Sequence, residues 1–249
     1  HIDHFGGVAS VLGAEDNTEI FAPAGFMDEA TSENVIVGST MSRRSMYMYG
    51  SQLEHSAKGH IGSGLGKGPA FGSPGIAAPT HIIDTTGEST IIDGVEFIFQ
   101  NAAGSEAPAE LTFYLPELKA FCGAEVVSRN MHNLYTLRGA KVRDARKWSH
   151  YINEAIELFP DTEVYFGSHH WPLWGNETII DFLKKQRDMY RYIHDQTLRL
   201  AASGHTPREI ADLLEMPEAL RTSFSNRGYY GTLKHNAKAV YQMYFGWYD

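Results

Sequence analysis

His1-Ile2-Asp3-His4-Phe5-Gly6-Gly7 sets two imidazoles and a carboxylate within four residues, just ahead of a glycine pair. Imidazole nitrogen and carboxylate oxygen are ligands that Zn²⁺ accepts, and three protein ligands leave a position for water. One metal needs three or four protein ligands, and two metals need about six. Three other places can supply them. Glu106 and Glu110 sit in a small-residue turn, residues 101–110. Glu125, in Gly123-Ala124-Glu125, falls near the end of a run over residues 111–127 that is apolar apart from a few interruptions such as Pro116-Glu117. A carboxylate there is costly unless paired or metal-bound. His169 and His170, in Gly167-Ser168-His169-His170-Trp171-Pro172, follow a strand-like stretch, 163–166, and α/β sites collect ligands at strand ends. Singly, each has an ordinary alternative: a solvated turn residue, an arginine partner, packing against Trp171.

The elements that must position these groups form three stretches. Residues 1–100 mix short apolar runs with glycine, including 19–22, 81–84 and a hairpin pattern, 89–92 and 95–99, around Asp93-Gly94. Residues 59–75 hold seven glycines. This stretch fails as a phosphate loop, because its spacing is wrong and Lys67 precedes Gly68 rather than Ser or Thr. It reads as a surface loop able to fold over a site. Met46, Tyr47, Met48 and Tyr49 are candidates for an alkyl-binding wall or for core packing. Residues 101–175 hold more short strands and an amphipathic helix over 144–159, ended by Pro160.

Alternating strands and helix imply a layered α/β domain over 1–175. From Asn176 the pattern is helical to residue 249, with a stop at Gly204, a capping box at Thr206-Pro207-Arg208-Glu209 and a further start at Gly231-Thr232. This second part reads as a packing or dimerisation module.

At 43% hydrophobic and 20% charged residues the chain is globular in composition. Its formal charge of -9 argues against nucleic acid as a partner, and no apolar run is long enough to span a membrane. Cys122, the single cysteine, excludes an internal disulfide and reads as a buried, inert thiol.

The opening string resembles the second half of H-x-H-x-D-H, the zinc signature of the metallo-β-lactamase superfamily. Its first histidine would lie upstream of His1, so the chain reads as a piece of a longer protein. More specifically, NAAGSEAPAEL, AEVVSRNMHNLYTLRGAKVRDARKWS, SHHWPLWGN and RGYYGTLKHNAKAVYQMYFGWYD resemble the alkylsulfatases of that superfamily, the SDS-hydrolase type. The resemblance implies an αβ/βα sandwich, incomplete at its N-terminus, followed by a helical dimerisation domain, hence a homodimer. It implies two zinc ions: one on the upstream histidine, His1 and Glu106, the other on Asp3, His4 and His170, with Glu125 bridging. His169 is the adjacent alternative to His170. Asp3 and Glu125 would thus serve catalysis. Asn133 and Arg138 match residues that hold the sulfate, with His132 and Arg143 as weaker candidates.

Two zinc ions bring four positive charges; three carboxylates and a hydroxide ion would remove them. An anionic ester then needs a further fixed cation, and a guanidinium suits it. The implied reaction is R–O–SO₃⁻ + H₂O → R–OH + HSO₄⁻. The rival readings are another hydrolase of the superfamily, acting on a lactam, thioester or phosphoester, and an inactive fragment that only dimerises. A periplasmic or secreted location is the expectation from the resemblance.

Overall fold

The computed structural model describes residues 1–13, 17–68 and 72–246. Two short helices open it, α1 (Ile2–Phe5) and α2 (Val8–Val11). Strand β1 (Phe21–Pro23) pairs in parallel with β2 (His81–Ile83), at the two early apolar runs. Between them lie α3 (Phe26–Thr31), a π-helical turn (Ser32–Ile36) and α4 (Gly38–Tyr49). These helices were not read from the sequence, because they carry no wide apolar stripe: α4 has no buried residue.

The main sheet has six strands in sequence order: β3 (Ser89–Ile92), β4 (Val95–Asn101), β5 (Leu111–Leu115), β6 (Ala120–Cys122), β7 (Val164–Phe166) and β8 (Leu173–Trp174). Asp93 and Gly94 both take positive φ, 49° and 81°, as a two-residue hairpin turn requires. All neighbouring pairs are antiparallel except β6–β7, which are parallel. The crossover between those two contains α5 (Ala145–Leu158), capped by the Asp144 side chain. Two antiparallel steps make β4 run the same way as β6, so the chain leaves β4, β6 and β7 at one edge of the sheet.

The helical part follows at once. Helix α6 (Asn176–Ala202) packs along α5, and Gly204 leaves it at φ 89°. Helix α7 (Pro207–Leu213) starts on the complete capping box of Thr206 and Glu209. A short α8 (Glu218–Arg221) precedes α9 (Leu233–Phe245), capped by Thr232. One core joins both parts: Phe121 and Tyr165 of the sheet, Trp148 and Ile152 of α5, Tyr190 and Ile193 of α6, and Val240 of α9 are all buried. Trp148 stacks on Tyr190 with centroids 4.5 Å apart. Burying each such side chain contributes about 1.5–3 kcal/mol. Cys122 is half-buried, and burial pushes its thiol up to about 11, consistent with an inert thiol.

Candidate metal centre

The shared sheet edge explains how residues far apart in sequence converge. The loop leaving β4 turns through Gly104 at φ 80° and delivers Glu106, 2% exposed. The turn leaving β6 delivers Glu125 through Gly123 and a left-handed Ala124. A Cβ on Gly123 would lie 2.3 Å from the Tyr165 hydroxyl, so only glycine lets this turn settle on β7. The loop leaving β7 carries His169, tied back by Ser168 N–H donating to the Ala124 carbonyl at 3.1 Å. Helix α1 and the residue before it bring His1, Asp3 and His4 against this edge.

Two donor groups result, and they share Glu125. Asp3, His4, Glu125 and His169 offer ligand atoms within 4.8 Å of one another, as do His1, Glu106 and Glu125. Nε2 of His4 lies 2.8 Å from Glu125 Oε2, and Nδ1 of His1 lies 3.1 Å from Glu106 Oε2. Nε2 of His169 stands 3.4 Å from Asp3 Oδ2, 3.6 Å from Glu125 Oε1 and 3.4 Å from His4 Nε2. Mixed imidazole and carboxylate donors converging in this way fit a divalent transition metal.

His170, expected as the ligand, is placed elsewhere. Its Nε2 faces the Val127 carbonyl at 3.2 Å, its Nδ1 faces the Trp171 carbonyl at 3.0 Å, and its ring stacks on Tyr165. Both nitrogens thus face backbone carbonyls, one of which the neutral ring can donate to, and His169 stands among the grouped donors. Glu110 accepts from the Leu111 N–H and joins neither donor group.

Electrostatics follow from burial and partners. Burial alone would lower His1, but the charge and hydrogen bond of Glu106 lift it to about 9. His169 is lifted to about 10, first by Asp3 and then by Glu125. Burial would raise Glu106, yet Arg143 and His1 bring it to about 2. Glu125 is likewise held well below the usual range, against burial, chiefly by His132, His169 and His4.

The four residues expected near the sulfate divide into two kinds. His132 and Arg143 are buried behind the carboxylates. Nε2 of His132 lies 3.0 Å from Glu125 Oε1 and 3.6 Å from Glu106 Oε1. Arg143 donates to Glu106 through Nη2 at 2.5 Å and through Nε to its carbonyl, and its Nη1 donates to the Asn133 carbonyl at 3.0 Å and to Asn133 Oδ1. Asn133 and Arg138 differ from these in their free or cavity-facing groups. Asn133 Nδ2 is buried with no partner among the described residues. Arg138 borders a cavity of about 40 Å³ together with His1, Asp3, Tyr49, Leu65, Glu106, Glu125, Arg143 and Tyr230. Its guanidinium is paired with Glu33 and also contacts Met41 Sδ at 3.3 Å.

Sequence reasoning missed Tyr230, whose hydroxyl lies 3.1 Å from that of Tyr49 and whose ring meets His132 edge-on at 4.8 Å. It also missed Glu33, which has no local signal. Leu65 brings the glycine-rich stretch over the cavity, and Asn130 Nδ2 donates to the Gly64 carbonyl at 3.2 Å to hold it. Of the Met46–Tyr49 group only Tyr49 lines this cavity; Tyr47 points to solvent, 84% exposed. A larger cavity, about 290 Å³, lies beyond His1 and Glu106 and is walled by Phe5, Phe26, Ala30, Val37, Met41 and Pro108.

The family model for alkyl sulfatase dimerisation matches residues 206–249. A linear primary-alkylsulfatase from Pseudomonas sp is 49% identical over 253 residues, covering 100% of this chain and 38% of that protein. The alkyl/aryl-sulfatase BDS1 of Saccharomyces cerevisiae is 49% identical over 254 residues, covering 100% of this chain and 39% of that protein. Among solved structures, the stereoselective inverting sec-alkylsulfatase Pisa1 from Pseudomonas sp. superposes with a TM-score of 0.97 at 40% identity, covering 100% of this chain and 40% of that one. The chain therefore spans about two fifths of the length of the curated relatives it matches.

Proposed function

Given that this chain belongs to the alkylsulfatase family, we propose that it carries the donors of a two-zinc centre that hydrolyses alkyl sulfate esters to alcohol and sulfate. The observation that carries this reading is the meeting of two donor groups on the single buried carboxylate of Glu125. His1, Glu106 and Glu125 would hold one ion, and Asp3, His4, His169 and Glu125 the other. Zinc held at these positions would supply Lewis acidity and lower the pKa of bound water from about 15.7 toward about 7.

The chain's own residues do the rest. Asp3, whose carboxyl is lowered by His169 and His4 against burial, stays ionised, as does Glu125. Each can accept a hydrogen bond from the attacking water and orient it. Arg138 offers a forked cation to the sulfate oxygens, and the free Nδ2 of Asn133 offers a neutral donor. The apolar wall of the larger cavity suits the alkyl group. The match of residues 206–249 supports a homodimer formed through the helical part.

The test is a substrate panel on the full-length protein: alkyl sulfates beside a lactam, a thioester and a phosphoester, before and after chelation and zinc return. Zinc-dependent release of sulfate from the alkyl esters alone is expected. Turnover of a phosphoester or lactam with the sulfate ester untouched would overturn the reading. Solvent ¹⁸O found in the alcohol selects attack at carbon; found in the sulfate, it selects attack at sulfur.

A further inference from the structure

The helical segment matched to dimerisation reaches back into the donor cluster. Asn236, on α9, is fully buried. Its Oδ1 accepts from the Leu134 N–H at 2.9 Å, and its Nδ2 donates to the His132 carbonyl at 2.9 Å. One side-chain amide thus grips the backbone on both sides of Asn133. The residue before His132 is fixed from the same side: Met131 N–H donates to the Arg227 carbonyl at 2.9 Å, and Gly231 N–H donates to the Met131 carbonyl at 2.8 Å. Tyr190 of α6 accepts from the His132 N–H at 3.2 Å. The approach is close enough that a Cβ on Gly231 would lie 2.4 Å from the His132 carbonyl oxygen.

What this grip holds is chemical. His132 backs the shared carboxylate of Glu125, and Asn133 carries the unpartnered buried Nδ2. We propose that Asn236 is a positioning residue: α9 fixes where His132 and Asn133 stand, and through them the setting of Glu125 and the donor offered to the sulfate. The helical module is then a wall of the site as well as a subunit contact. This inference rests on the reading above for both its substrate and its metal, which the experiment measures separately.

An isosteric aspartate separates positioning from bulk packing. Asn236→Asp keeps an acceptor for Leu134 N–H but sets a carboxylate oxygen against the His132 carbonyl, where two acceptors cannot bond. Displacements near 1 Å can cost about 10²-fold in rate. In the full-length dimer we would measure zinc affinity by chelator competition, then kcat and KM for an alkyl sulfate and inhibition by inorganic sulfate at saturating zinc. N236D is expected to keep its oligomeric state, to weaken zinc about tenfold, and to raise KM and the sulfate inhibition constant about tenfold with kcat less affected. Tyr190→Phe, which removes only the hydroxyl, should shift the same quantities in the same direction by less. Asp212→Asn, which opens the exposed Asp212–Lys234 pair of the same module, should change none of them. Unchanged zinc affinity and KM in both N236D and Y190F would overturn the positioning role, and so would equal shifts in D212N. A wild-type protein that binds zinc but hydrolyses no sulfate ester would sink the substrate reading instead, leaving the zinc measurement to decide on Asn236.

Discussion

Nε2 of His132, a residue with no solvent exposure, stands 3.0 Å from Oε1 of Glu125. His4 holds the other oxygen at 2.8 Å. Burial by itself would drive the carboxyl toward its neutral form, and these contacts more than reverse that. Glu125 is therefore an ionised group in a dry setting, within reach of the other donors of both groups. Such an arrangement is costly to build for stability alone.

Glu125→Gln keeps the shape and removes the charge. If both donor groups depend on this carboxylate, the variant loses metal from both, by more than the roughly 10–100-fold that outer partners cost. Metal analysis after dialysis checks it. Two ions retained per chain would refute the shared role.

His169 and His170 give a sharper contrast, since they are neighbours of one type. Alanine at 169 removes a donor within reach of Asp3, Glu125 and His4. Alanine at 170 removes a ring stacked on Tyr165 and two contacts to backbone carbonyls. Metal content should fall in H169A and hold in H170A, whose loss should appear in thermal stability. The reverse pattern in metal analysis would restore His170 as the ligand.

How far the sequence could reach is visible in these same residues. Glu106 and Glu125 were legible because a carboxylate in a small-residue turn or an apolar run must find compensation. The Asp93-Gly94 hairpin, the Thr206 capping box and the helix after Asp144 were legible because their signals are local. That His169 rather than His170 stands among the donor groups was not, because the contacts that place the two adjacent rings, to Asp3 for one and to the Val127 and Trp171 carbonyls for the other, leave no local signal. Glu33 lies 105 residues from Arg138, and Asn236 lies 104 residues from His132. No periodicity or spacing announces such pairs. Helix α4 escaped because none of its residues is fully buried and no apolar stripe marks it.

The pH dependence of the metal-free protein follows from three groups. His1 at about 9 and His169 at about 10 are raised, so they contribute fully below the ordinary value of 6.5 and lose that contribution as pH climbs toward 10. Glu106 at about 2 is lowered, so its contribution is complete above the ordinary 4.5 and disappears as pH falls toward 2. The joint contribution of these three groups should therefore be complete between about pH 4.5 and 6.5, while buried Glu110, whose carboxyl is raised by burial and by Glu106, opposes stability as pH rises above 4.5. A metal ion must displace the histidine protons, so its affinity should rise over the alkaline range with proton release on binding. Urea unfolding across pH and calorimetry in two buffers of different ionisation enthalpy check both. Metal-free stability that increased from pH 6.5 to 9 would contradict the ion pairs.

Trp148 links the core to the centre, since its indole N–H donates to the carbonyl of Val126, next to Glu125. Trp148→Ala leaves a cavity beside Tyr190 and should cost about 3–5 kcal/mol, read as a lower urea midpoint. A loss under about 1 kcal/mol would mean the core closes over the gap.

If Arg138 receives the sulfate as proposed, Glu33 is its resident competitor. Arg138 is half-buried and paired with it, and although burial would lower the guanidinium, Glu33 keeps it charged. A sulfate reaching Arg138 must share or displace this carboxylate. Removing the competitor by Glu33→Gln should therefore tighten inorganic sulfate and lower KM. Hydrogen bonds to charged groups are worth about 1.5–3 kcal/mol, so the change should be about tenfold or more at low salt. Added salt should shrink it, because a partly exposed pair is screened. Arg138→Ala should move KM the other way by a similar factor, with kcat less affected and metal retained. Metal content must be followed in E33Q as well, since Glu33 Oε2 also stands 3.5 Å from His1 Nε2. With metal unchanged, a KM that E33Q leaves alone while R138A also does nothing would remove Arg138 from sulfate recognition. A KM that rises in both would mean that the pair acts as a unit, holding the π-helical turn at 32–36 and the 136–139 turn in place.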